Sequence, residues 1–276
     1  MVTLGTNLPG SGAGRVTGRA DWFAALAASP RPAVVDYAGG GDRVELSGRV
    51  LANWGAKTAN LVEAEGHGPD TTVLVDLPLD WTSLAVLLGL ARAGVGLVFA
   101  GGPVEVGGAA PAVHDAGRDA DLILTAAPAD WAEHPAELWT VDAGTEAGVD
   151  AAGQTVAQPA AAPPAHAVDF LTEVRMQADQ CHLPLPGGPE GLPGLAEAWE
   201  DLAAPGGAGV TEDRLSRRER GLVVAAAGAR LDRTVATAAV RMWDRGLPVV
   251  LVPERAAPFS AATTRRVEAE GVGAPA

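Results

Sequence analysis

Five histidines, one cysteine and one lysine are the scarce reactive side chains of this 276-residue sequence, and their spacing excludes more chemistry than it permits. His67, His114, His134, His166 and His182 include no pair at the i, i+4 interval that puts two imidazoles on one helical face, so no metal site is expected. Cys181 stands beside His182 without a second thiol, which leaves neither a zinc cluster nor an internal disulfide. A serine hydrolase needs a nucleophile on a G-x-S-x-G elbow, and none exists. The apolar run 222–227 leads instead into Gly228, Ala229 and Arg230, with no nucleophile. GSGAGR at 10–15 has the composition of a phosphate loop, but no strand precedes it, so it reads as a flexible terminus. Arg214, Arg217, Arg218 and Arg220 could grip a phosphate or CoA-like anion. Glu212, Asp213 and Glu219 dilute that charge, and the stretch reads as a solvated turn before a strand.

The elements that must position such groups are clearest at residues 71–102. Thr72 to Val75 is a β-branched and apolar run ending at Asp76, and Pro78 cannot donate to a ladder, so the strand stops before it. Asp80 suits an N-cap. The helix that follows, with Trp81, Leu84, Val86, Leu87, Leu88 and Leu90, is apolar nearly all round and should be buried on more than one face. Gly94 ends it and Val95 to Phe99 forms the next strand, with Gly101 and Gly102 at its carboxyl end. Strand, crossover helix and strand in this order make a parallel pair.

Similar signals recur on both sides. A short helix is expected at 21–28, a hairpin at 33–46 turning at Gly39, Gly40, Gly41 and Asp42, and a helix from Ser47 to Glu65 with Val50, Leu51, Trp54, Leu61 and Val62 as its apolar face. Further on come a helix at 109–116, strands at 121–125 and 138–141, a helix at 168–180 and a short one at 195–202. The C-terminal part reads as strand 222–227, helix 232–244, strand 247–252 and a helix from Ser260 to Glu270. Trp22, Trp54, Trp81, Trp199 and Trp243 fall on helical apolar faces and read as core. The fold class is α/β with doubly wound, mostly parallel sheets. The expected organisation is a flexible terminus at 1–18, a first α/β subdomain at 19–142, a Pro/Ala-rich linker or loop at 143–167 and a second subdomain at 168–276.

Net charge is −14, with 9 basic and 26 acidic residues before position 211 and 11 and 8 after it. The acidic bulk should repel nucleic acid and anionic membrane surfaces. Nineteen of the twenty basic residues are arginine, and with the wealth of Ala, Gly and Pro this reads as base composition rather than chemistry. The N-terminal residues lack a charged and an apolar region, so no signal peptide is expected, and the solitary cysteine suits a reducing cytoplasm.

Val44-Glu45-Leu46-Ser47-Gly48-Arg49 resembles the first core motif of the adenylate-forming superfamily of acyl-CoA synthetases and adenylation domains, with Gly48 where an aromatic is usual. Leu90-Ala91-Arg92-Ala93-Gly94-Val95-Gly96-Leu97-Val98 is similar to the second, L-K-A-G-x-A-Y-V-P. Arg214 to Val272 resembles the later strand–helix–strand–helix segment. The resemblance covers about two thirds of the chain and implies the N-terminal part of that fold. These motifs shape the sheet. The residues that carry the chemistry are missing. The phosphate loop Y-T-S-G-S/T-T-G-x-P-K-G should fall between 165 and 220, where this sequence has GGPEGLPG at 187–194, without lysine or a hydroxyl cluster. Such a loop works through amides, hydroxyls and an ammonium aimed at phosphate, and Pro189 and Pro193 remove amides. Gly209-Val210-Thr211-Glu212 resembles the Y-G-x-T-E motif but lacks its aromatic and precedes the segment it should follow. The hinge Asp and the lid lysine have no counterpart.

The resemblance therefore implies a truncated, degenerate relative, not adenylating alone, with a binding or regulatory role and a protein partner or self-association. Alternatives are an AMP-forming acyl-CoA ligase that uses atypical residues or a partner, and a Rossmann-like nucleotide binder. ATP or AMP as ligand is implied by resemblance only, and no catalytic residue is named. If a cleft persists, open α/β sheets place it beyond the carboxyl ends of the strands, at Gly101, Gly102, Gly228 and Arg230.

Overall fold

The computed structural model describes residues 22–38, 43–100, 117–141, 146–149, 155–158, 163–183, 195, 215–218, 220–255 and 259–272. In chain order the elements are α1 (Trp22–Ala28), β1 (Pro32–Asp36), β2 (Val44–Ser47), α2 (Gly48–Ala64), β3 (Thr72–Asp76), α3 (Trp81–Ala93), β4 (Gly96–Phe99), β5 (Leu122–Thr125), a 3-10 turn (Pro128–Trp131), β6 (Glu137–Thr140), β7 (Glu146–Val149), β8 (Thr155–Gln158), β9 (Val168–Asp169), α4 (Phe170–Arg175), β10 (Leu215–Arg218), β11 (Gly221–Ala225), α5 (Arg233–Asp244), β12 (Val249–Val252) and α6 (Ala261–Ala269).

Two five-stranded sheets result. The first runs β10-β11-β12-β1-β2, parallel in its centre, where Val249 stands beside both Val34 and Leu222, and antiparallel at both edges. The second runs β4-β3-β5-β6-β9 and is parallel throughout, with Val73 between Leu97 and Leu122. The β3–α3–β4 unit forms as its punctuation dictates. The Asp80 side chain accepts from Ser83 N in a reciprocal capping box, and Gly94 takes a left-handed φ of 73° at the other end. Ser47, Asp232 and Ser260 cap α2, α5 and α6, each accepting from the third amide of its helix.

One continuous apolar cluster joins one face of each sheet to α1, α2, α3 and α5. α3 is buried almost all round, as its composition demands. α2 and α3 approach closely because small residues face each other. A Cβ on Gly89 would stand 2.2 Å from Thr58 Cβ and 2.9 Å from the Gly55 carbonyl oxygen. Smaller clusters cover the opposite faces: Val35, Val223, Val250 and Val252 lie under Val267 and Val272, and Leu74, Ile123 and Leu138 lie around Trp131.

Several expectations need correction. Val50 is 41 % exposed, so the apolar face of α2 starts at Leu51. The helix expected at 168–180 is only α4, preceded by the short strand β9, because β9 pairs with β6 at the sheet edge. The stretch 143–167 holds the β7–β8 hairpin, and the arginine-rich stretch before β11 supplies the edge strand β10. The sheets also do not divide the chain at 143–167, since β1 and β2 pair into the sheet of β10–β12 while β9 joins the other. The helix expected at 109–116 and Trp199 lie outside the described residues, as does the helix expected at 195–202 except for buried Leu195.

Candidate functional site

Two parallel strands, β1 and β3, end in the same way: an apolar run closed by a buried aspartate, Asp36 and Asp76. Each carboxylate is thereby placed at the carboxyl edge of its sheet, where an open α/β fold presents its ligand crevice. Asp76 is 1 % exposed. Its Oδ2 accepts from the Thr125 hydroxyl at 3.1 Å and from the Trp131 indole Nε1 at 2.9 Å, and its Oδ1 pairs with the Arg230 guanidinium. Those partners arrive from β5, from the 3-10 turn and from the loop after β11. Asp36 Oδ1 accepts from Ala38 N at 2.6 Å, and its Oδ2 accepts from Trp81 N, the first amide of α3, at 2.9 Å. A carboxylate there also complements the positive end of the helix dipole.

The loops complete the junction. Leu231 N donates to Leu77 O at 2.9 Å and Leu79 N donates to Ala229 O at 2.8 Å, with Pro78 and Arg230 bridged between them. Residues 77–79 thus run antiparallel to 229–231 and stitch the second sheet to the first. Gly228 sits in this loop with φ +66°, exposed, with nothing near where its side chain would be. Of the four residues expected at the cleft, Gly228 and Arg230 are therefore brought to the joint carboxyl edge, while Gly101 and Gly102 lie outside the described residues. Asp76 is too enclosed to touch a substrate. The Arg230 side chain, although paired with Asp76, remains 45 % exposed at the surface of the junction. The arrangement fixes the two sheets to each other at their carboxyl edges.

A second constellation was not foreseen. The chain's one lysine, Lys57 on α2, donates to the carbonyls of Arg175 and Gln177 and pairs with Asp179 at 3.0 Å. One turn on, Asn60 Nδ2 donates to Ala178 O at 3.0 Å and Gln180 O at 2.8 Å. From α3, Arg92 Nη2 donates to Cys181 O at 3.0 Å and Leu183 O at 3.4 Å, with its guanidinium 4.4 Å from the centre of the Phe23 ring. Residues 175–183 form a strap whose carbonyls are captured by three side chains of the central helices. A groove of about 540 Å³ opens between strap and α2, lined by Asn60, Glu63, Gln177, Asp179, Gln180 and His182. The i, i+3 spacing of Lys57 and Asn60 is the only signal the sequence offered.

His67 Nε2 lies 3.1 Å from Glu137, whose other oxygen accepts from Trp139 Nε1 at 2.6 Å, and His134 accepts from Ala136 N through Nδ1. Among the described residues no group of three or more His, Cys, Asp or Glu could hold a metal ion, and no helix is long and apolar enough to cross a membrane.

Comparison with solved structures identifies the fold. The chain superposes on the Brucella canis acyl-CoA synthetase with a TM-score of 0.59 at 19 % identity, over 88 % of this chain and 44 % of that one. It superposes on the N-terminal domain of FACL13 from Mycobacterium tuberculosis with a TM-score of 0.55 at 16 % identity, over 91 % and 60 %. The amide bond synthetase McbA of Marinactinospora thermotolerans gives 0.55 at 14 % identity, over 92 % and 47 %. The fold is that of the N-terminal region of acyl-CoA synthetases and adenylation domains, and the chain spans about half the length of the intact enzymes. In sequence, it is 33 % identical over 141 residues to a TIGR03089 family protein of Mycobacterium tuberculosis, 51 % of each chain. No family model matches the sequence.

Proposed function

We propose that this chain is a binding scaffold of the adenylate-forming type that does not activate a carboxylate by itself. The single observation behind this is the position of Lys57. It is the one lysine of these 276 residues, and it donates to two carbonyls and pairs with Asp179, which supports a scaffold whose own residues do not supply the ammonium that grips a triphosphate or an acyl-adenylate. The fold likeness to acyl-CoA synthetases supports a ligand of nucleotide or acyl-CoA class at the carboxyl edge, where the half-exposed Arg230, paired on one side with Asp76, keeps donors facing solvent. The solitary cysteine supports a reducing, cytoplasmic setting.

ATP–pyrophosphate exchange with a panel of carboxylic acids tests the proposal. The purified protein should give no exchange above background, and clear exchange would overturn it. Calorimetry with ATP, AMP and CoA should show binding of at least one, and silence across the panel would count against a ligand role.

The chain spans 44 % of the Brucella canis enzyme, which favours a second reading: half of an AMP-forming ligase completed by a lid from other sequence. Exchange that appears only when such a lid-bearing partner is added would establish it over the first.

A further inference from the structure

The first sheet is covered unequally. One face shares the main core with α1, α2, α3 and α5, while on the other Val35, Val223, Val250 and Val252 are closed by Val267 and Val272, with Phe259 partly buried beside them. Within α6 only Thr263 and Val267 are buried. A nine-residue helix cannot persist alone in water, so its order depends on staying docked.

What holds it is a polar clasp at its C-terminal end. Glu270 accepts from Arg43 Nε at 2.8 Å through Oε1 and from Arg43 Nη2 at 2.9 Å through Oε2, a two-point fork, and the Tyr37 hydroxyl donates to the same carboxylate. Arg43 also pairs with Glu45, and the Arg266 guanidinium lies 5.5 Å from the centre of the Tyr37 ring. Arg265 and Glu268 of α6 are exposed. The clasp therefore ties the β1–β2 hairpin, some 230 residues away in sequence, to the helix that closes the valine face.

We propose that α6 is a releasable cover over the outer face of the first sheet, latched by the Arg43–Glu270–Tyr37 clasp, which opens locally when the Glu270 charge is lost while the rest of the fold stays closed. The Arg43 hydrogen bonds hold the Glu270 carboxyl below the ordinary carboxylate range, and burial together with Glu270 pushes the Tyr37 phenol up. The latch is thus complete above the pKa of the unfolded carboxyl and is lost as pH falls through the lower folded value. The Glu270 side chain is only 12 % exposed, so salt screens the pair less than an ordinary surface bridge.

Hydrogen exchange on the full chain, corrected for intrinsic pH effects, tests this. In Glu270→Gln, amides of 261–269 should exchange roughly threefold to tenfold faster, while β3 and β5 are unchanged. The wild type should show the same local change on acidification, which needs no variant to fold. Tyr37 is the only tyrosine, so phenolate absorbance reads the clasp directly, and Glu270→Gln should lower its titration towards the ordinary value. Unchanged α6 exchange, an unmoved Tyr37 titration, or an equal rise in every element would overturn the proposal.

Discussion

Asp76 is a carboxylate enclosed by protein, and its partners come from three separate places in the fold. Removing it would leave the Trp131 indole N–H and the Thr125 hydroxyl buried without an acceptor. Asp76→Ala should therefore lower stability by about 2–4 kcal/mol, the cost of orphaning two buried groups. Arg230→Met should also cost about 2–4 kcal/mol, because it leaves the Asp76 charge buried with Oδ1 unpaired, even though the arginine itself is nearly half in water. Urea unfolding of both variants checks this, and losses near zero would contradict the description of Asp76 as the anchor. Arg230 was legible in the sequence because topology puts the end of a strand there. Asp76 was legible only as a strand end and Asp36 only as part of a hairpin strand, although both close a run of buried apolar residues. A carboxylate in that position has to be satisfied by something, and the sequence cannot say that the answer lies about 155 residues away.

The contact between α2 and α3 depends on what is missing from their surfaces. Gly89→Ala would force a Cβ into Thr58 and should cost about 1–3 kcal/mol through overpacking of the crossing. Thr58→Gly alone should destabilise as well, but the double variant should lose less than the sum, a coupling that thermal unfolding of the four proteins would reveal. Additive losses would mean that the crossing relaxes freely. Local punctuation made α3, α5, α6 and their strands legible, since Asp80, Ser260, Gly94 and Pro78 each act within one turn. The small-residue crossing was hidden, because in an Ala- and Gly-rich sequence Gly55 and Gly89 look like background. β10 was hidden for a related reason: an arginine-rich run has no apolar alternation, and it becomes a strand by pairing with β11.

Across the whole molecule, the first sheet takes its strands from both ends of the chain. β12 lies between β11 and β1, and Trp243 Nε1 donates to Ala33 O at 3.0 Å. A fragment of residues 168–276 should therefore lack a cooperative unfolding transition by circular dichroism, and a fragment that melts sharply would show that the second part is a domain in its own right. Order of elements was readable from sequence, but partition between sheets was not, because strand partners are chosen by long-range burial and leave no periodicity. That partition has a cost during synthesis. Residues 32–36 leave the ribosome long before residues 249–252, some 213 positions later. At translation rates of about 5–20 residues per second, β1 waits roughly 10–40 s with one edge open. Through that interval the nascent chain carries a valine-rich strand with half its hydrogen bonds unmade, so yield in the cell should depend on chaperone shelter more than its finished stability suggests.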